Sequence, residues 1–106
     1  MRIVNWEKIN GTTYKGYVLG APKYDSNTKT YHANIYDLNN GFSGTSDMWI
    51  TMLNIDGHFN LTLHFKIGKN TYAERTEILS YENVKTVRGF LDYYEILIDW
   101  YEFKKK

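Results

Sequence analysis

The three histidines are the residues best suited to metal or acid–base chemistry in this chain of 106 residues. His58 and His64 are six positions apart in a run that alternates between apolar and polar residues. In an extended strand this spacing places them ~20 Å apart, so one metal ion cannot bind both directly. His32 could approach one of them across a sheet, with Asp37 or Asp56 nearby, but the spacing does not predict such a cluster. We therefore expect no metal site and no cofactor.

The segment 41–45, GFSGT, comes closest to a nucleophile motif. A nucleophile elbow needs a glycine on each side of the serine, in a turn between a strand and a helix. Thr45 replaces the second glycine, and the strand–turn–helix pattern is absent around it. The chain also has no cysteine, which excludes a thiolate nucleophile and a disulfide framework. We expect no catalytic residues and a protein that is not an enzyme.

The charge and hydropathy of the chain restrict its class further. The formal net charge is +1, whereas a domain dedicated to non-specific nucleic-acid binding is usually more basic. The sequence contains no apolar run near 18 residues and no apolar segment of a signal peptide at its N-terminus. We therefore expect a cytoplasmic protein that binds no membrane, with nucleic acid a less favoured partner than protein.

Two neighbouring segments predict a β-hairpin. Residues 58–67 alternate strictly between apolar and polar side chains, and Asp56-Gly57 joins them to a second apolar run at 48–55. Asp-Gly between two such runs is typical of a two-residue turn, which places Ile55 opposite His58. Directly opposed residues share one face of a sheet. This register predicts a core face made by Met48, Ile50, Met52, Phe59, Leu61, Leu63 and Phe65.

The rest of the N-terminal part supplies further strands. The segment 71–79 is polar and predicts an edge strand with Tyr72 and Ile78 facing inward. A loop is predicted at 39–47, where the strand pattern stops. The remaining predicted strands are 3–6, 12–21 and 29–38.

A long helix follows the strands. Ser80 is suited to cap its N-terminus, with Glu82 in the first turn, and the helical pattern continues to about Phe103. We therefore predict a single α+β domain over 1–106, in which an antiparallel sheet of five to six strands is followed by one long C-terminal helix packed on it.

The end of this helix, GFLDYYEILIDWYEF at 89–103, carries more apolar residues than one core-facing stripe requires. An α-helix turns ~100° per residue, so residues three and four apart lie on one side. The stripe predicted to pack on the sheet contains Val84, Val87, Leu91, Tyr94, Ile98 and Tyr101, with Phe90 and Leu97 at its flanks.

A second apolar stripe lies more than about a third of a turn from the first. Its alternating spacing of four and three residues is the spacing by which helices pack on a partner. We interpret it as a surface for another protein or for a second copy of the chain, with Trp100 as the anchor. The alternative is that the N-terminal strand or the 39–47 loop covers it. This stripe, the second seam, consists of Gly89, Tyr93, Ile96, Trp100 and Phe103.

The helix also carries a row of carboxylates between the two stripes. Such a row is usually a solvated helix face. It could instead imitate phosphates and occupy the basic groove of a nucleic-acid-binding protein. We include this acidic row in the predicted partner-binding site; its members are Asp92, Glu95, Asp99 and Glu102.

An alternative function uses tyrosines and lysines that interleave along the first strands. Aromatic rings can stack on the bases of single-stranded nucleic acid while lysines contact its phosphates. Ordinary strand patterning, with lysines on the wet face, explains the same residues more simply. The alternative nucleic-acid site consists of Tyr14, Lys15, Tyr17, Lys23, Tyr24, Lys29 and Tyr31.

These patterns together favour a non-enzymatic protein-binding module. The small size and the abundance of Asn, Lys, Ile and Tyr suggest an accessory protein of a phage or mobile element. Such a protein would inhibit or modulate a host protein, for example a nucleic-acid-binding or defence protein. The alternative is a single-stranded nucleic-acid-binding domain.

Overall fold

The structure of the protein is a computed structural model that describes residues 6–40 and 47–104. Most of the predicted loop at 39–47 and of the predicted strand at 3–6 lies outside these residues. The described end of that predicted strand is instead the start of a 3₁₀ helix, Trp6–Ile9, so the strand prediction is wrong at this position.

Six strands form one antiparallel sheet in which each strand pairs with its neighbours in the chain. This order and the helix that follows confirm the predicted α+β class. The predicted strand at 12–21 is wrong in one respect, because a turn at Lys15-Gly16 divides it into two strands that pair with each other. The strands are β1 (Thr13–Tyr14), β2 (Tyr17–Asp25), β3 (Thr30–Asp37), β4 (Met48–Ile55), β5 (His58–Gly68) and β6 (Thr71–Leu79).

The Asp56-Gly57 turn sets the register of β4 against β5. Both turn residues have positive φ, 51° and 84°, which is the conformation of a type I′ turn. Ile55 pairs with His58, and the pairing continues without a shift along the whole of β4. The predicted register is therefore confirmed, and all seven residues of the predicted core face are buried.

β6 is an edge strand as predicted, but its inner face is not the predicted one. Tyr72 and Ile78 lie opposite Lys66 and Asn60, and their side chains are 54% and 64% exposed. The odd-numbered residues of β6 face the core instead, where Leu79 is fully buried. Both faces of this strand carry charged residues, so the period of two does not identify the buried side.

Ser80 begins the helical region as predicted. The Asn83 Oδ1 atom accepts hydrogen bonds from the N–H and the hydroxyl of Ser80, both at 2.9 Å. The predicted long C-terminal helix is confirmed, but it begins later than predicted because the first turn forms a separate short helix: α1 spans Tyr81–Val84 and α2 spans Val87–Lys104. At this break Gly89 lies against the carbonyl of Asn83, where a Cβ atom would collide with the oxygen. This close approach explains a glycine inside a helix.

The core-facing stripe of α2 packs across the sheet. Tyr94 is fully buried, and its hydroxyl donates a hydrogen bond of 3.0 Å to the backbone oxygen of Tyr17 in β2. Trp6 meets Phe90 edge to face, with ring centroids 5.3 Å apart. Phe90 and Leu97, predicted as flanks, are buried as deeply as the centre of the stripe. Burial of each large apolar side chain contributes roughly 1.5–3 kcal/mol, so this stripe holds the helix to the sheet.

α2 is the longest helix among the described residues, with 18 residues. Its acidic row interrupts every apolar stretch of the helix. In this described part of the chain, none of the helices has both the length and the apolar character that spanning a bilayer requires.

Candidate functional site

One part of the second seam packs against the core and the other part faces solvent. Ile96 is 46% exposed, and Phe103, at 76%, is the most exposed large apolar side chain of the described residues. Nearer the N-terminal end of α2, Gly89 is partly buried and Tyr93 packs against the core. The second seam is therefore open to solvent mainly in its C-terminal half.

Trp100, the predicted anchor, connects the second seam to the sheet. Its ring meets the ring of Phe65 edge to face, with centroids 5.5 Å apart. The guanidinium of Arg75 lies 5.5 Å from the Trp100 centroid, within the range of a cation–π contact, and 3.3 Å from a carboxylate oxygen of Glu77. Trp100 is thus part core and part surface, and its indole is held in one orientation from two sides.

A groove of about 500 Å³ opens beside Trp100, where the C-terminal end of α2 approaches the end of the β5–β6 hairpin. Apolar and aromatic side chains make up most of its wall, and two lysines and one glutamate add charge. Concave sites with apolar walls and few charged groups are typical of binding sites. The groove is lined by Phe65, Lys66, Ile67, Ala73, Glu74, Trp100, Tyr101 and Lys104.

The acidic row is largely paired with cations of the same chain. Arg88 contacts the carboxylates of Asp92 and Glu95 at 3.0 Å and 2.7 Å. The Lys15 ammonium lies 2.6 Å from the carboxylate of Asp99. Because two cations offset two of the four negative charges, the row is a weaker imitation of a phosphate backbone than the sequence alone predicts.

Asp99 of the acidic row also contacts two residues of the alternative nucleic-acid site. The Tyr14 hydroxyl donates hydrogen bonds to both carboxylate oxygens of Asp99, at 3.0 Å and 3.2 Å. The hydrogen bond from Lys15 is the main cause that lowers the pKa of Asp99, and the same contact raises the pKa of Lys15. The β1–β2 turn is therefore tied to α2 by a solvent-exposed ion pair, whose contribution to stability is modest.

The residues of the alternative nucleic-acid site do not form one surface. Tyr17 and Tyr31 are only 0% and 3% exposed, so their rings cannot stack on a base, and the prediction is wrong for these two residues. Tyr14 and Lys15 are engaged by Asp99. More than half of the predicted platform is thus buried or held by a carboxylate.

The remaining residues of that alternative site are Lys23, Tyr24 and Lys29, all of them exposed. Tyr24 packs against Tyr31, with ring centroids 4.4 Å apart. A shallow groove of about 380 Å³ lies beside Lys23 and is also lined by Asp25, Thr28, Thr30 and His32. One exposed ring and two lysines do not make the repeated stacking platform that single-stranded nucleic acid uses.

A polar network on the outer face of the sheet was not predicted from the sequence. The Nε2 atom of His64 lies 2.9 Å from the hydroxyl of Thr51, and its Nδ1 atom lies 3.2 Å from the carboxylate of Glu74. The Trp49 ring stacks on the imidazole, with centroids 5.0 Å apart. The Thr51–His64 contact follows from the hairpin register, because these residues are diagonal neighbours on one face.

A carboxylate, a histidine and a hydroxyl in this order also form the catalytic triad of hydrolases. Among the described residues around Thr51, however, the network has no free backbone N–H groups that could form an oxyanion hole. Thr51 pairs with His32 on one side and Thr62 on the other, so the backbone N–H groups around it belong to the ladders. An oxyanion needs N–H donors that are free to point at it. Burial lowers the pKa of His64, although the neighbouring Glu74 acts to raise it. We interpret the network as cross-strand contacts that stabilise the outer face.

The described histidines do not converge on a metal site. His58 is exposed at the β4–β5 turn, while His32 and His64 are near enough across the sheet to influence each other electrostatically. Burial lowers the pKa of His32, and its Nδ1 atom is buried without a hydrogen-bond partner. Within residues 6–40 and 47–104, no three histidine, aspartate or glutamate side chains are placed to hold one metal ion.

Comparison with known proteins adds no relative. No family model, no curated protein and no solved structure matches the chain. The geometry of the second seam, the groove and the acidic row is therefore the basis for assigning a function.

Proposed function

We propose that this protein is a non-enzymatic protein-binding module that contacts its partner through the C-terminal half of the second seam. The observation that carries the proposal is the exposure of Ile96 and Phe103 on a helix whose opposite side packs on the sheet. Trp100 lies on the same helix and forms part of the wall of the groove. Exposed large apolar residues beside an aromatic anchor are typical of protein interfaces.

The groove supports a partner segment of definite chemistry. Its apolar walls would take an aliphatic or aromatic side chain against Trp100. Lys66 and Lys104 also line it and would attract carboxylates that flank this side chain. The partner segment is therefore an apolar residue with one or two acidic neighbours.

The acidic row plays a secondary part in this proposal. Its paired members leave less charge for a basic partner than an unpaired row would. Charges at the rim of an interface mainly change the association rate and its dependence on salt. We also predict that this chain is an accessory protein of a phage or mobile element and that its partner is a host protein. Identification of the partner tests this prediction.

Capture experiments with matched variants test the proposal. The immobilised native chain, Ile96→Ser, Phe103→Ser and Ile55→Ser are compared against the same lysate. Ile55 is a suitable control because it is 48% exposed, close to the 46% of Ile96, and lies at the β4–β5 turn. We expect one partner to be retained by the native chain and by Ile55→Ser and to be lost from both seam variants. Retention of that partner by both seam variants would contradict the proposal.

A further inference from the structure

The two edges of the sheet differ in how they are protected. At one edge β1 has only two residues, and β2 beyond it has a bulge between Gly20 and Lys23 that contains Pro22. Short strands, bulges and prolines keep an edge from pairing with another chain. At the other edge β6 has nine residues and no proline, and the shift in its pairing lies on β5, between Lys66 and Gly68. Among the described residues, no strand covers this edge.

The register shows which backbone groups of β6 are open. A two-residue turn closes with a hydrogen-bonded pair, here Ile55 with His58, and such pairs then alternate along the strands. The N–H of Lys66 donates to the carbonyl oxygen of Asp47 at 3.0 Å, which agrees with this alternation. Even-numbered residues of β5 therefore bond to β4, and odd-numbered residues bond to β6. On β6 the N–H and C=O groups that point to the open edge are those of Tyr72, Glu74, Thr76 and Ile78.

We propose that this open edge pairs antiparallel with β6 of a second copy of the chain, about a two-fold axis at Arg75. Tyr72 then lies opposite Ile78 of the second copy, and Glu74 lies opposite Thr76 of the second copy. In this arrangement each residue whose backbone groups point to the open edge has a partner on the other strand, and each such pair exchanges two backbone hydrogen bonds. Tyr72 and Ile78 are also the exposed apolar side chains of this strand, at 54% and 64%, and they cover each other across the axis.

The face of β6 that is turned towards α2 supplies complementary charge. At the axis Arg75 lies opposite Arg75 of the second copy, and Glu77 of the second copy is its diagonal neighbour across the strand pair. Arg75 already contacts Glu77 of its own strand and stacks on Trp100. Two carboxylates near each arginine, one from each strand, offset the repulsion between the two guanidinium groups.

Neighbouring registers fit less well. A shift of two residues in one direction places Glu74 opposite Glu74 of the second copy, which is unfavourable for like charges. A shift in the other direction places Tyr72 opposite Ser80, whose N–H is already donated to Asn83. The sequence of β6 is thus self-complementary in one register.

This dimer uses the edge of β6, which adjoins the groove at Ala73 and Glu74 but does not include the exposed residues of the second seam. Its contacts are the backbone of β6 and the side chains beside it, whereas Ile96 and Phe103 are on α2. The inference therefore does not rest on the proposed function. A variant at the edge of β6 and a variant of the second seam can be tested independently.

Cysteine cross-linking tests the register, because the native chain contains no cysteine. Arg75→Cys places two thiols across the axis in a non-hydrogen-bonded pair, where the Cα atoms are about 4.5 Å apart and within reach of a disulfide. We expect it to cross-link faster than Ile55→Cys, by about tenfold or more. Thr76→Cys lies off the axis in this register and should cross-link less readily than Arg75→Cys. Equal rates for Arg75→Cys and Ile55→Cys would overturn the proposal.

Sedimentation of the native chain over a range of concentrations tests the dimer itself. We expect a dimer that Ile78→Pro converts to a monomer, because the Ile78 N–H points to the open edge and its loss removes no bond within the sheet. If Ile78→Pro melts at a lower temperature than the native chain, Ile78→Lys replaces it. A native chain that is monomeric at every concentration, or a dimer that persists in the edge variant, overturns the proposal.

Discussion

His64 illustrates how the position of a single side chain in the sheet determines its chemistry. Trp49 covers one face of its ring, and Thr51 and Glu74 contact its two nitrogens. Burial is the largest influence on its pKa and outweighs the carboxylate, so the neutral imidazole is favoured in the folded chain. The ring therefore serves as a fixed hydrogen-bonding group of the outer face.

The free energy of unfolding should decrease as the pH falls below 6.5, the ordinary pKa of histidine. The pKa values of His64 and His32 are lowered in the folded chain, so the unfolded chain binds protons first and acidification favours unfolding. Above this range both states hold neutral histidines and these residues contribute no pH dependence. Denaturant unfolding at about pH 8 and about pH 5.5 measures the difference.

A glutamine variant shows how much of this pH effect comes from His64. His64→Gln should reduce the loss of stability on acidification, because it removes one of the two histidines whose pKa is lowered in the folded chain. A loss of equal size in the native chain and in His64→Gln would show that another group is responsible.

At the scale of elements, α2 has three different sides. One is buried against the sheet, one carries the acidic row and is tied to β1–β2 by Lys15, and one is the second seam. The amphipathic pattern predicts the buried side, because the period of 3.6 is strong there. The pattern does not show that Trp100 also packs on Phe65, since a helical wheel contains no information on the neighbouring strands.

Different strands were predictable to different degrees for a physical reason. β4 and β5 alternate strictly and are joined by Asp-Gly, so both their existence and their register follow from the sequence. β6 has charged residues on both faces, and its inner face is set by pairing with β5. The break between α1 and α2 depends on the tertiary contact of Gly89 with Asn83, which helix propensity does not report.

Gly89→Ala should destabilise the protein, although glycine to alanine in a helix interior normally stabilises by roughly 1 kcal/mol. The added Cβ would collide with the carbonyl oxygen of Asn83 and push α1 away from α2. Thermal unfolding measures the effect, and Ile96→Ala, at an exposed position of the same helix, controls for helix propensity. A higher midpoint for Gly89→Ala than for the native chain would contradict this packing.

Trp100→Ala should lower the free energy of unfolding by less than the ~3–5 kcal/mol typical of a fully buried aromatic residue. The indole contacts Phe65 and Arg75 but is also open to the groove. Phe103→Ala should change the stability by no more than about 0.5 kcal/mol, because the ring is 76% exposed. Urea unfolding compares the two, and a loss of ~3–5 kcal/mol in both variants would mean that the whole second seam is core.

At the scale of the whole molecule, residues from opposite ends of the chain complete one charged surface. Tyr14 and Lys15 meet Asp99 across a sequence separation of 85 and 84 positions. Sequence reasoning assigns the first two to a nucleic-acid site and the third to a protein-binding site. Only the packing of α2 beside the β1–β2 turn shows that each neutralises the other.

The protein should bind single-stranded DNA or RNA weakly at physiological salt. Lys23, Tyr24 and Lys29 are the exposed residues left for such binding, and the net charge is only +1. So few phosphate contacts supply little affinity, because the electrostatic part of binding grows with the number of phosphates that are neutralised. Fluorescence anisotropy of a labelled oligonucleotide measures it. Micromolar binding at physiological salt that Lys23→Ala abolishes would favour the nucleic-acid alternative instead.

Titration of the captured partner against matched variants tests the protein-binding proposal most directly. The native chain, Ile55→Ser and the double variant Ile96→Ser/Phe103→Ser are compared by calorimetry. Loss of the residues that dominate an interface costs at least ~2 kcal/mol, or about thirtyfold in Kd. We predict this loss for the double variant, with an unchanged melting temperature, and native affinity for Ile55→Ser. Native affinity in the double variant, or an equal loss in Ile55→Ser, would contradict a partner site on the second seam.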